Sequence, residues 1–228
     1  QIFWQGEHSE ASTGRIPNAT GVAIALMRPS PGQSNANSVR DPLIDLRISE
    51  IHYRPWAGQA EWLELLNVGS DSLDLEGLEF SSGIKFSFTA ITIAPQERIL
   101  LVSDKAVFRA QYGNAPRIAG VFAGRLDNAG ERFTVRRSGD VSPSILTTGY
   151  NPNWYPLTNG LGFTLVPRNE SRRMSEDRED WQAGTVSGGT PGAPEPPFIY
   201  SSSEPTTIIG DFLPHQIAAP NAPSLSAP

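Results

Sequence analysis

The residues able to do chemistry are few in this chain, which has three histidines, His8, His52 and His215, and no cysteine. Without cysteine there are no thiolate nucleophiles, disulfides, iron–sulfur sites or Cys-ligated zinc. The histidines are far apart, and no His-x-Glu-x-x-His or His-x-x-x-His spacing occurs, so a zincin-type centre is absent. A Ser–His–Asp triad would have to use His52, with no Gly-x-Ser-x-Gly elbow to hold the nucleophile. The expected role of His52 is that of a surface or strand-edge histidine.

Carboxylates offer more. Glu50, Glu61 and Glu64 fall on neighbouring strand-like runs, with Asp71, Asp74 and Glu76 just beyond. A carboxylate pair at the right separation hydrolyses glycosidic bonds. Glu61 and Glu64, however, are an odd number of positions apart, so a regular strand points them to opposite faces. Structural roles are expected for all three glutamates. No cofactor is expected, and calcium is the only ion with any support, at Asp71 and Asp74 or at Glu176–Asp180. Calcium takes six to eight oxygens, and no D-x-D-x-D-G loop supplies them, so solvated loop charge is the competing role.

Of the five tryptophans, Trp56 in the turn Arg54-Pro55-Trp56-Ala57-Gly58 is the best candidate for an exposed aromatic. With Tyr53 beside it, Trp56 could stack on a sugar or insert into a protein partner; the competing role is packing over its own turn. Arg168, Arg172, Arg173 and Arg178 cluster, with Arg136 and Arg137 possible neighbours. Glu170, Glu176, Asp177, Glu179 and Asp180 interleave with them, and the net charge is −6. A phosphate-binding surface needs a positive excess, so nucleic acid is disfavoured as a partner.

The elements that must position these groups read as β-strands. Glycine (21) and proline (20) are abundant and charged residues make up only 18%, so short apolar runs are separated by turn residues. That pattern belongs to an all-β protein with many loops. No apolar run reaches the 18 or so residues that span a bilayer, so no membrane-spanning helix is expected. The start at Gln1, with no methionine or signal-like region, suggests a processed product or a piece of something longer.

The spacing predicts strands at about 44–53, 60–67, 77–81, 84–88, 97–103, 117–122, 131–137, 144–150 and 161–166. One helix is expected over Asp104–Tyr112, capped by Asp104 and stopped by Gly113. Three zones follow: a flank over 1–40, a β domain over 41–194, and a Pro/Ser/Ala-rich tail over 195–228. Ile16–Gly21 echoes Tyr155–Gly160, and Pro29–Gly32 echoes Gly189–Gly192, so the first flank reads as a possible end of a preceding module.

Four stretches in order carry a family resemblance: Leu46–Asn67 with its Glu-Trp-Leu-Glu-Leu phrase, Gly130–Val135, Asn153–Val166 and Gly188–Pro194. Together they resemble the lamin tail domain in its bacterial surface or secreted form, over roughly Leu43 to Pro194. The chain departs from that pattern at Arg136–Pro143 and Asn169–Asp180, both expected to be loops. The resemblance implies an all-β, immunoglobulin-like antiparallel β-sandwich with extended N- and C-terminal flanks. It implies no reaction.

The function expected is therefore a non-enzymatic binding or structural module of an extracytoplasmic bacterial protein, extracellular or at the cell surface. Its partner would be a protein, or another copy reached through the flanks. The apolar run holding Val22, Ile24 and Leu26 is expected to pair with a sandwich edge, and Ile208–Leu213 offers a second such run. The alternative is a targeting module for carbohydrate or nucleic acid within a larger secreted hydrolase.

Overall fold

The computed structural model describes residues 12–16, 22–26, 41–139, 144–173 and 176–197, the first two segments by their backbone alone. Among them are thirteen strands and one α-helix, so the chain is mostly β. No helix is long and apolar enough to cross a membrane.

Strands β1 (Ser12–Ile16) and β2 (Val22–Leu26) form an antiparallel hairpin, with Ser12 opposite Leu26 and Ile16 opposite Val22. The run with Val22, Ile24 and Leu26 thus takes its partner from the residues just before it. Strands β1 and β2 make a sheet of their own. A short hairpin closes a small loop, which costs less chain entropy than reaching a distant edge. Ile208–Leu213 lies outside the described residues.

The largest sheet has six strands in the order β13-β12-β3-β4-β8-β9. These are Trp181–Ser187, Phe163–Pro167, Leu46–His52, Trp62–Asn67, Arg98–Val102 and Ile118–Val121. A second sheet joins β11 (Leu146–Tyr150), β10 (Glu131–Arg137) and β6 (Leu78–Ser82), while β5 (Leu73–Asp74) pairs with β7 (Thr92–Ile93). Ile48, Ile51, Leu63, Leu65 and Leu101 of the first sheet share one core with Phe80, Phe133, Val135 and Leu146 of the second. Tyr53 stacks on Tyr150 across this core, ring centroids 4.5 Å apart.

The sheet is not wholly antiparallel, a correction to the expected architecture: β8 and β9 run parallel. Parallel neighbours need a crossover, and helix α1 (Lys105–Tyr112) supplies it. Asp104 caps α1 by accepting from the N–H groups of Ala106 (2.8 Å) and Val107 (2.9 Å), and Gly113 ends it. Phe108 of the helix packs with Trp62, Leu100 and Val102 on the face of the sheet away from the second sheet. Every residue of β3 and β4 is consequently buried. The alternation in sequence marks two different covers, not one dry and one wet face.

Eight of the nine predicted strands form, while the β1–β2 hairpin and the short β5 and β7 have no counterpart among them. The run 84–88 makes isolated bridges, Glu79–Ser87 and Lys85–Ala123, and so ties the two sheets together at one edge. Strand β13 has no counterpart among the predicted strands because Gly184 interrupts its pattern. A Cβ at Gly184 would lie 2.7 Å from Thr164 Oγ1, so close approach to β12 requires the glycine.

Candidate functional site

Two places concentrate chemistry. The first is beneath the segment Gly188–Glu195. Glu50 and Glu64 stand opposite one another on β3 and β4, at 2% and 1% exposure. Glu50 accepts from Thr164 Oγ1 (2.6 Å), the Thr190 N–H (3.0 Å) and Thr190 Oγ1 (3.3 Å). Glu64 accepts from Ser49 Oγ (2.7 Å) and the Gly192 N–H (2.6 Å), with Arg98 Nε 3.4 Å away. Glu195 continues the arrangement, accepting from Thr185 Oγ1, the Thr185 N–H and Thr190 Oγ1.

Burial pushes the Glu50 carboxyl up to about 8, opposed by the Thr164 and Thr190 hydrogen bonds and reinforced by the charges of Glu64 and Glu195. Burial likewise pushes Glu64 up to about 7, against its bonds from Gly192 and Ser49 and the charge of Arg98. The pair can hold a proton and anchor a loop. It faces the backbone of that loop, and Gly189 packs so closely on Glu50 that a Cβ there has no room. His52 shares this face, fully buried, its ring edge-on to Trp62 at 5.6 Å. Neither ring nitrogen has a hydrogen-bond partner among the described residues, and burial lowers its pKa to about 4. The expected surface or strand-edge histidine is thus a neutral core residue.

The second place is a cleft of about 470 Å³ at the end of the molecule where β3 turns into β4. One wall is the turn with Arg54, Trp56 and Gln59, and the other is the Gly124–Asn128 loop after β9, with Glu61 and Ser103 between. It is an open recess with a mostly polar lining. Trp56 is 45% exposed. Its indole rests on Gly162, where a Cβ would lie 2.6 Å from Cε2 and Cζ2. Arg54 lies along Gly160 and donates to Asn159 Oδ1 at 2.7 Å. The 54–58 turn is therefore braced against 159–162, with φ of 87° at Gly160 and 83° at Gly162.

Across the cleft, Glu61 accepts from the Leu126 N–H at 2.8 Å, and burial raises its pKa against that bond and the nearby Arg125 charge. Arg125 and Asn128 are exposed. The Asp127–Gly130 turn is held by Asp127 Oδ1 accepting from the Ala129 N–H (2.8 Å) and by Tyr150 Oη donating to the Asp127 carbonyl (2.7 Å). Such an arrangement can present an aromatic face with hydrogen-bond donors and acceptors around it.

The sequence candidates separate accordingly. Trp56 is at the cleft mouth, but Tyr53 is 1% exposed, packed on Tyr150 and bonded through its hydroxyl to Thr158 Oγ1 at 2.9 Å. The expectation of Tyr53 as a second stacking face is corrected, because its ring belongs to the core. Asp71 gives its backbone carbonyl to Asn67 Nδ2 (2.8 Å), and Asp74 Oδ1 accepts from the Glu76 N–H (3.0 Å). No cluster of three or more His, Asp or Glu able to hold a metal occurs among the described residues. The opposed pair Glu50–Glu64 was legible in principle from a hairpin centred near Trp56–Gly58; its cover by residue 190 and its neighbours was not. No family model, curated protein or solved structure matches the chain.

Proposed function

We propose that this chain is a non-enzymatic binding module of an extracytoplasmic bacterial protein, of lamin-tail type with an immunoglobulin-like sandwich. It acts through the loop end that carries Trp56. The observation that carries the reading is a half-exposed indole fixed over Gly162 at the mouth of a cleft. A rigid aromatic with one side free gives contact area at little cost in side-chain entropy. Leu161, 53% exposed and adjacent to Gly162, extends the apolar rim.

Two observations support binding over hydrolysis or nucleic-acid contact. The one directly opposed carboxylate pair on the sheet, Glu50 and Glu64, is sealed under the loop that it anchors and is not open to a substrate. The arginines of β10 and of the charged 168–178 segment are engaged by the protein itself. Arg172 pairs with Asp180, Arg136 with Glu79, Arg137 with Asp41 and Arg132 with Glu176. Arg178 lies over the Tyr155 ring. Assembly with other copies through the flanks belongs to the same reading, and the alternative is a targeting module of a larger secreted hydrolase.

The test compares fluorescently labelled wild type and Trp56→Ala for retention on intact Gram-positive and Gram-negative cells. The reading expects retention of the wild type on at least one surface and its loss, by about tenfold or more, in the variant. Equal retention of the two chains, or none, contradicts it.

A further inference from the structure

We propose that the cleft at Trp56 is a saccharide site, taking one pyranose ring of a surface glycan against the indole. This rests on the reading of Trp56 as the recognition residue and names its ligand class.

A pyranose is amphipathic: its ring C–H groups make an apolar face, and its rim carries hydroxyls that both donate and accept. A matching site needs one flat apolar surface and a mixed ring of donors and acceptors. The cleft has that composition. Trp56 is the one large aromatic exposed on its lining. Around it stand Arg54 and Arg125 as donors, Glu61 as an acceptor, and Asn128 with an amide able to do both. The parts are fixed before any ligand arrives: Gly162 and Gly160 brace Trp56 and Arg54, and the Leu126 N–H holds Glu61. Fixed parts lower the entropy lost on binding.

A peptide anchor fits these observations less well. An apolar side chain set against Trp56 would leave the guanidinium, amide and carboxylate groups of the lining without partners, which costs binding energy. Sugar hydroxyls can both donate to and accept from those groups in place of water. Each such bond contributes little net, because it replaces a bond to water. One ring should therefore bind weakly, with Kd of about 10 μM to 1 mM, and a repeating glycan should be held through several copies of the chain.

The experiment is calorimetric titration of the whole chain with cellotetraose, chitotetraose, maltotetraose and tetragalacturonate, with tryptophan fluorescence read in parallel. Three variants accompany the wild type: Trp56→Ala, Trp56→Phe and Arg125→Ala, each checked for an unchanged denaturation midpoint. The proposal expects at least one tetrasaccharide to bind and to alter the fluorescence. Trp56→Ala should weaken binding about tenfold or more, Arg125→Ala by about three- to tenfold, and Trp56→Phe less than Trp56→Ala. Saccharide binding indifferent to Trp56→Ala overturns the site. Failure of all four sugars while retention on cells still depends on Trp56 overturns the ligand class and leaves the recognition surface standing. Failure of both overturns both.

Discussion

Trp56 and Trp181 carry the same side chain with opposite duties. Trp181 begins β13, is 0% exposed and belongs to the shared core, whereas Trp56 leaves 45% of its surface in water. Removing the first leaves a cavity, so Trp181→Ala should cost about 3–5 kcal/mol in a guanidinium titration. Trp56→Ala should cost under about 1 kcal/mol in the same experiment, since little of its area is lost from the interior. Trp154, which the sequence suggests as the cover for one end of the core, is only partly buried against it. Its truncation should fall between the two. Gly162→Ala should destabilise by about 1–3 kcal/mol, because φ of 83° strains an alanine and the new methyl group meets the indole. It should also change the fluorescence of Trp56, and an unchanged spectrum with unchanged stability would refute the bracing.

Helix α1 and the Gly188–Glu195 segment together make the second cover of the six-stranded sheet. Asp104→Ala removes the acceptor for two N–H groups at the start of α1 and should cost about 1 kcal/mol, read from the denaturation midpoint. The helix was legible because its cap, apolar face and glycine stop all lie within ten residues. Eight of the strands were legible for the same reason: the alternation that specifies them is local. The cover over Glu50 and Glu64 was not, since the Thr190 and Gly192 N–H groups that bond them lie 140 and 128 residues away. Likewise nothing in the Arg54–Gly58 turn reveals that Gly162 will support its tryptophan. Tyr53 misled because its neighbour is exposed and it is not. A bulge between Ile48 and Glu50 sets which side chains of β3 face the core, and Tyr53 follows Ile51 inward.

At the scale of the whole molecule, buried titratable groups set how stability follows pH. Burial raises Glu50 to about 8, Glu64 to about 7 and Glu131 to about 7, the last also through the charges of Asp127 and Glu61. The folded state therefore keeps protons that the unfolded chain releases above about pH 4.5. Stability from these groups is fully present below that value and is lost as pH rises through 7 and 8. His52 has the opposite sign: lowered to about 4, its contribution is complete above about pH 6.5 and is lost as pH falls through 4. Above about pH 6.5 His52 no longer changes, and the glutamates alone govern the slope. Unfolding free energy should fall by about 1–3 kcal/mol between pH 6.5 and 8.5, given about 1.4 kcal/mol per pH unit for each fully linked proton. Glu50→Gln should flatten that slope, and a variant as steep as wild type would show that Glu50 does not carry it.

The proposed recognition through the loop end at Trp56 is tested most directly by the ¹H–¹⁵N spectrum of the indole N–H groups. The chain has five tryptophans, so the five signals can be assigned by substitution and followed while solubilised bacterial envelope glycans are added. The predicted result is a shift or broadening of the Trp56 signal, with those of buried Trp62 and Trp181 nearly unmoved. Perturbation confined to other signals, or to backbone amides along the β9 edge with Trp56 unchanged, would contradict the account.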